Sequence, residues 1–200
     1  GSAIALPLVR FDVRRLAVTP RALALGVYGL FGYHFLLFTA LQLAPPVEAN
    51  LVNYLWPLGI VVLAPLLLPG VRLAPAHLGA ALAGLAGAAI AILGRGAGAE
   101  SGGAGHPLAP LGFACAAGAA LIWSSYSVLS KRLASTRHAF PTAAIGTFGC
   151  VSGLLSLLCH VLLEPAVSLS ARDGLLIAVL GLGPLGGAFF LWDAALKLGD

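Results

Sequence analysis

Asn50-Leu-Val-Asn-Tyr-Leu-Trp-Pro57, set inside the longer run Pro46 to Leu68, is the stretch on which the reading of this chain turns. The run has 23 residues, about 34 Å of helix at roughly 1.5 Å per residue, against a hydrocarbon core of roughly 30 Å. Asn50, Asn53, Tyr54 and Pro57 stand at i, i+3, i+4 and i+7, so a helical period stacks two amides, a phenol and a proline on one stripe. Acyl tails offer such a stripe nothing to bond. Pro57 cannot donate the backbone hydrogen bond its position calls for and frees a carbonyl one turn earlier, which is tolerated where neighbouring helices or a cavity satisfy the backbone. The run therefore reads as a cavity wall with Pro57 as its hinge. The alternative is that the asparagines bond between helices and Pro57 is an incidental kink.

The rest of the composition agrees with a membrane setting. Of 200 residues, 60% are apolar and only 9% charged, and the mean hydropathy is +0.99, which leaves too little polar surface for a soluble domain. The expected class is an all-α integral membrane protein. The net charge of +4 comes from basic residues dispersed between apolar runs, so no nucleic-acid partner is expected and the charges report orientation instead. Cys115, Cys150 and Cys159 lie within apolar runs without a C-x-x-C or His-spaced pattern, and neither a metal nor a cofactor is expected. Ala3 to Val9 is too short, and lacks the preceding basic region, for a cleavable signal peptide. It looks like the tail of a spanning helix whose beginning is absent.

Further apolar runs occupy Ala22 to Leu43, Ala76 to Leu93, Leu108 to Leu129, Thr142 to Leu163 and Gly174 to Leu196, making six spans with Pro46 to Leu68. Between them stand Ala44-Pro45-Pro46, Pro69-Gly70, Pro75, a Gly-rich stretch from Gly94 to Gly105 closed by His106-Pro107, Phe140-Pro141 and Glu164-Pro165. With strict alternation, one side collects Arg10, Arg14, Arg15, Arg21, Arg72, Lys131, Arg132, Arg137 and Lys197, and the other Arg95 and Arg172. By the positive-inside rule the first set faces the cytoplasm, and a miscounted span would scramble the division. Ala80, Gly84 and Ala88 in the third run, and Gly146, Gly149 and Gly153 in the fifth, are small residues that permit close helix approach. Thr147, Ser152 and Ser156 can bond back to their own helix.

The fourth run carries a second polar-aromatic stripe, with Trp123, Tyr126, Ser127 and Ser130 at i, i+3, i+4 and i+7. Two such stripes imply one shared cavity; for Tyr126, near Lys131, anchoring at the interface is the alternative. Sliding the chain by 155 residues lays Leu25 to Ala44 over Leu180 to Gly199, with nine of twenty positions identical, among them Gly26 with Gly181, Gly32 with Gly187 and Phe35 with Phe190. Five spans separate equivalent points, so the copies run in opposite directions: an inverted-topology repeat, the pattern of carriers that rock about a midplane site. The partial copies are 1–93 and 108–200, joined by a Gly-rich external linker at 94–107. Symmetry asks for two further spans at each end, ten in all.

The Trp-Pro of the second run, the Ala-Leu-x-Leu ends of the first and sixth, and Leu-Ile-Trp-Ser-Ser-Tyr-Ser-Val-Leu-Ser-Lys-Arg in the fourth resemble the EamA-type repeats of the drug/metabolite transporter superfamily. Asn50-Leu-Val-Asn-Tyr-Leu-Trp-Pro57 most resembles its YddG-like aromatic amino-acid exporters. The resemblance implies ten helices in two inverted five-helix halves, a central substrate cavity, and efflux of amino acids or similar metabolites across a bacterial inner membrane. A Glu that family members commonly carry after the second run has no counterpart in Gly70-Val71-Arg72, so no role for it is carried over.

Within the runs, His34 sits near mid-span beside Tyr33, where an ionisable group points to function; a neutral His bonded across a helix contact is the structural alternative. Asp193 has Lys197 at i+4 and is expected to form an interfacial ion pair. Glu48 falls in the first turn of its helix, where the dipole favours it. The candidate substrate-binding residues are Tyr33, His34, Asn50, Asn53, Tyr54, Trp56, Trp123 and Tyr126, with amides and phenols meeting polar groups and rings facing an apolar side chain. No catalytic residue is assigned. The partners expected are a small-molecule amino-acid substrate and membrane lipid, and a monomer suffices. A sugar-phosphate carrier would need a buried Lys or Arg, which the runs lack, and an intramembrane enzyme could be assembled only from Ser152 and His34 without a third orienting group. A purely structural role is the remaining alternative.

Overall fold

The structure, a computed structural model, describes residues 2–10, 12, 16–96, 107–165 and 168–198. Arg14, Arg15 and most of the Gly-rich separator lie outside the described residues, as does the side chain of Arg95. Every regular element among those described is helical: α1 Ala5–Leu8, α2 Pro20–Val27, α3 Tyr33–Leu43, α4 Pro46–Asn53, α5 Trp56–Leu67, α6 Pro75–Gly96, α7 Ala109–Ala134, α8 Ala144–Leu163, α9 Ala171–Leu182 and α10 Ala188–Leu198. Among the described residues, five stretches are long and apolar enough to cross a membrane, namely Pro20–Leu43, Pro46–Leu67, Ala109–Ala134, Ala144–Leu163 and Ala171–Leu198. The third expected run is the 22-residue α6.

Helix starts follow local chemistry. Pro20, Pro46 and Pro75 open their helices, where a missing N–H leaves no hydrogen bond unmade. The Thr19 hydroxyl accepts from the Ala22 N–H at 3.3 Å, and Ser170 with Asp173 forms a reciprocal capping box at α9. Two of these spans pass through a π-helical turn. A π-helical turn at Tyr28–Gly32 joins α2 to α3, and another at Gly183–Gly187 joins α9 to α10. These turns lie 155 residues apart, the offset of the sequence repeat, and α3 and α10 coincide under the same offset.

The described chain forms two compact units, Gly1–Phe31 with Ser130–Asp200, and Gly32–Leu129. They cut across the linear halves read from the repeat, because compactness groups helices by contact and the repeat groups them by sequence. In the second unit Ala40, Ala44, Ala49 and Ala116 make a fully buried small-residue core, flanked by Leu41, Val52 and Phe113. A Cβ on Gly112 would stand 2.6 Å from the Ala44 Cβ and 2.9 Å from its backbone nitrogen, so α7 reaches the end of α3 only through glycine. In the first unit α2 packs on α8, where a Cβ on Gly26 would fall 2.2 Å from the Phe148 ring. Phe148 in turn meets Phe140 edge-to-face at 5.0 Å.

A Cβ placed on Gly84 of α6 or on Gly153 of α8 would have no neighbour within 4 Å among the described residues, whereas Gly146 of the same α8 stripe is buried. Small size permits approach without requiring it. Thr147 does not bond its own helix: its hydroxyl donates to the Leu16 carbonyl at 2.8 Å and ties the chain before α2 to α8. The Ser152 hydroxyl is buried without a partner among the described residues.

Candidate functional site

The run that reads as one spanning helix breaks in two. α4 ends at Asn53 and α5 starts at Trp56, with the Leu55 N–H closing a tighter turn onto the Val52 carbonyl at 3.1 Å. Pro57 occupies the second position of α5, where its lack of an N–H is harmless to the new helix and leaves the Asn53 carbonyl without its usual donor. The bend expected at Pro57 is thus placed one turn before it.

The break divides the predicted stripe. Asn53 is 4% exposed, whereas Tyr54, the next residue, is 39% exposed and Asn50 is half-buried. The Asn53 Nδ2 donates to the Tyr33 hydroxyl at 3.2 Å, a contact between α4 and the first residue of α3. Tyr33 places its ring 5.2 Å from that of Trp123 on α7 and 5.1 Å from that of His34, which also stands 5.7 Å from Phe38. Trp123 stacks obliquely on Tyr126 at 5.4 Å. Tyr33, His34, Asn53, Trp123 and Tyr126 therefore form one connected polar-aromatic cluster inside the second unit. At 2% exposure Tyr126 packs in this cluster instead of anchoring at an interface.

Trp56 enters differently. The Ser124 hydroxyl lies 2.9 Å from the Trp56 carbonyl and 2.6 Å from that of Ala120, so it straddles α5 and its own helix. A Cβ on Gly59 would stand 2.2 Å from the Ser124 Oγ, which makes this the tightest seam between α5 and α7. Neither residue is among those predicted. A glycine shortly after Pro57 and a serine one position from Trp123 are the signals that could have found them. Ser127 of the second stripe bonds back to the Trp123 carbonyl at 2.8 Å and presents no hydroxyl proton to a ligand. An apolar groove of about 320 Å³ runs between α5 and α7, lined by Leu55, Leu58, Val62 and Leu121. None of the predicted site residues lines it, and its walls suit a hydrocarbon and not a zwitterion.

Among the described residues no group of three His, Cys, Asp or Glu side chains is placed to hold a metal. Ser152 and His34, the one conceivable nucleophile and base, belong to different compact units.

Comparison with known proteins adds a direct observation. The chain is 48% identical over 176 residues to the aromatic amino acid exporter YddG of Ancylobacter novellus, a match spanning 88% of this chain and 58% of that one. The chain is similar to an exporter. It spans less than two thirds of that exporter's length. A solved crystal structure, described simply as that of a protein, is 43% identical and superposes on the whole chain with a TM-score of 0.85, the match covering 67% of the solved chain. No protein-family model matches. The exporter match and the long apolar helices together make this chain part of a multi-pass membrane protein.

Proposed function

We propose that the chain, within its full-length protein, carries aromatic and large neutral amino acids out of the cell across the inner membrane by alternating access. The single observation that carries this reading is the cluster of half-buried Tyr33 with buried Asn53 and Trp123, which sets one amide and one phenol beside an indole at a helix break. Polar groups at a broken spanning helix are the recurrent form of a midplane substrate site. The similarity to an aromatic amino acid exporter supports the substrate class and the outward direction.

The mechanism is differential binding without covalent chemistry: the solute lowers the barrier between outward and inward states only by contacting each of them. An inverted repeat of the EamA type, with six of ten spans in this chain, supplies two such states of similar energy. It is supported by the nine identities under the 155-residue offset and by the π-helical turns that share that offset.

Full-length protein in sealed liposomes is expected to move labelled phenylalanine down its gradient. Trp123→Ala is expected to cut that flux about tenfold through loss of ring contact, with folded yield retained. Flux of another metabolite and of no amino acid would remove the substrate assignment and leave the carrier fold.

A further inference from the structure

We infer that Asn53 and Tyr33 act as a neutral pair that reads the two charges of an amino acid, Asn53 accepting from the α-ammonium and Tyr33 donating to the α-carboxylate. The inference rests on the carrier reading and deepens it.

The hydrogen bonds of the cluster lead there. Asn53 spends its Nδ2 on the Tyr33 oxygen. Its Oδ1, on a side chain 4% exposed, has no partner among the described residues. A buried acceptor left unmade is disfavoured unless something else supplies the donor. The backbone carbonyl of Asn53, the last residue of α4, adds a second acceptor that lacks its i+4 donor, because residue 57 is proline. Two carbonyl oxygens on one residue at the C-terminal, electronegative end of a half-helix match the three N–H donors of an ammonium group.

Tyr33 has the opposite capacity. Its oxygen accepts from Asn53, and the phenolic proton remains to donate. The acceptor and donor are joined by one hydrogen bond of 3.2 Å, so they are held as neighbours, as are the two charges of a zwitterion. Trp123, 5.2 Å from the Tyr33 ring, offers an apolar face for the side chain. This arrangement also accounts for the absence of Lys, Arg, Asp and Glu from the cluster. Full charges inside a membrane are expensive, whereas two fixed dipoles can address a zwitterion whose own net charge is zero.

Three probes of one ring separate the roles: phenylalanine, phenethylamine, which lacks the carboxylate, and 3-phenylpropionate, which lacks the ammonium. Affinities would be measured by direct binding and competition on the full-length protein in nanodiscs. Asn53→Leu is expected to weaken phenylalanine and phenethylamine about 10- to 100-fold and leave 3-phenylpropionate unchanged, the range for a hydrogen bond to a charged group. Tyr33→Phe is expected to do the reverse, weakening phenylalanine and 3-phenylpropionate and sparing phenethylamine. Where Asn53→Leu fails to fold, the smaller Asn53→Ala carries the same comparison. Equal weakening of all three probes by either variant would overturn the pairing, and so would loss of the carboxylate probe on changing Asn53. Wild-type protein that binds none of the amino acids would instead refute the carrier reading itself.

Discussion

Asp193 is 1% exposed, and its Oδ2 receives the Lys197 ammonium at 2.6 Å. The i, i+4 spacing makes that pair legible in the sequence. What the spacing leaves unseen is the rest of the ammonium's surroundings: the Phe140 carbonyl at 2.8 Å and the Phe140 ring, whose centroid lies 4.2 Å away. Phe140 precedes Lys197 by 57 residues, and no periodicity links them. Asp193 is accordingly buried, with Lys197 partly exposed beside it. Lys197→Met leaves a desolvated carboxylate without its cation and is expected to lower stability by about 3–5 kcal/mol, while Asp193→Asn with Lys197→Met restores most of it. Thermal unfolding in detergent checks both. Asn53 and Tyr33 were each visible as polar residues in apolar runs, but their mutual bond was not, since it joins two helices through side-chain direction.

At the scale of the element, the spans were legible from length, apolar composition and their proline and glycine boundaries. Their interruptions were less so. The break at Tyr54 and Leu55 falls ahead of Pro57 because a proline sits comfortably in the first turn of a new helix. The seam of Gly59 on Ser124 depends on two helices brought together by tertiary contact, for which a single sequence carries no period. Gly59→Ala would place a methyl 2.2 Å from the Ser124 oxygen, and about 1–3 kcal/mol of destabilisation is expected from the overpacking. Gly59→Ala with Ser124→Ala should recover part of it, read as the midpoint of thermal unfolding. The π-helical turn at Tyr28–Gly32 makes a second test. Removing Leu30 takes out the residue that the wide turn accommodates and lets it close to regular α-helix with Tyr33 still facing Asn53, so phenylalanine flux is expected to be retained, whereas one alanine inserted between Gly32 and Tyr33 turns Tyr33 by about 100° and is expected to abolish it.

For the whole molecule, the division of basic residues predicts which loops meet the cytoplasm. In a background lacking the three cysteines, a thiol at Ser135 should react with an impermeant maleimide only after permeabilisation, and one at Ser168 should react from outside. Labelling of both from the same side would undo the count of crossings. The membrane class could be read from hydropathy because burial in lipid needs only composition and length. Which helices share a compact unit could not, because alanine and glycine faces fit many neighbours equally well.

The matching π-helical turns bear on how such chains can diverge. Each holds one residue more than a regular helix would need at that place, and each lies at the same register of its copy. A lineage that dropped the surplus residue at either turn would close it to regular α-helix and keep that helix's later side chains on their partners, whereas a loss elsewhere in the helix would swing them off. Alignments of relatives should therefore confine any single-residue gap within Leu25 to Leu43 or Leu180 to Leu198 to the two wide turns, even where the residues themselves have drifted.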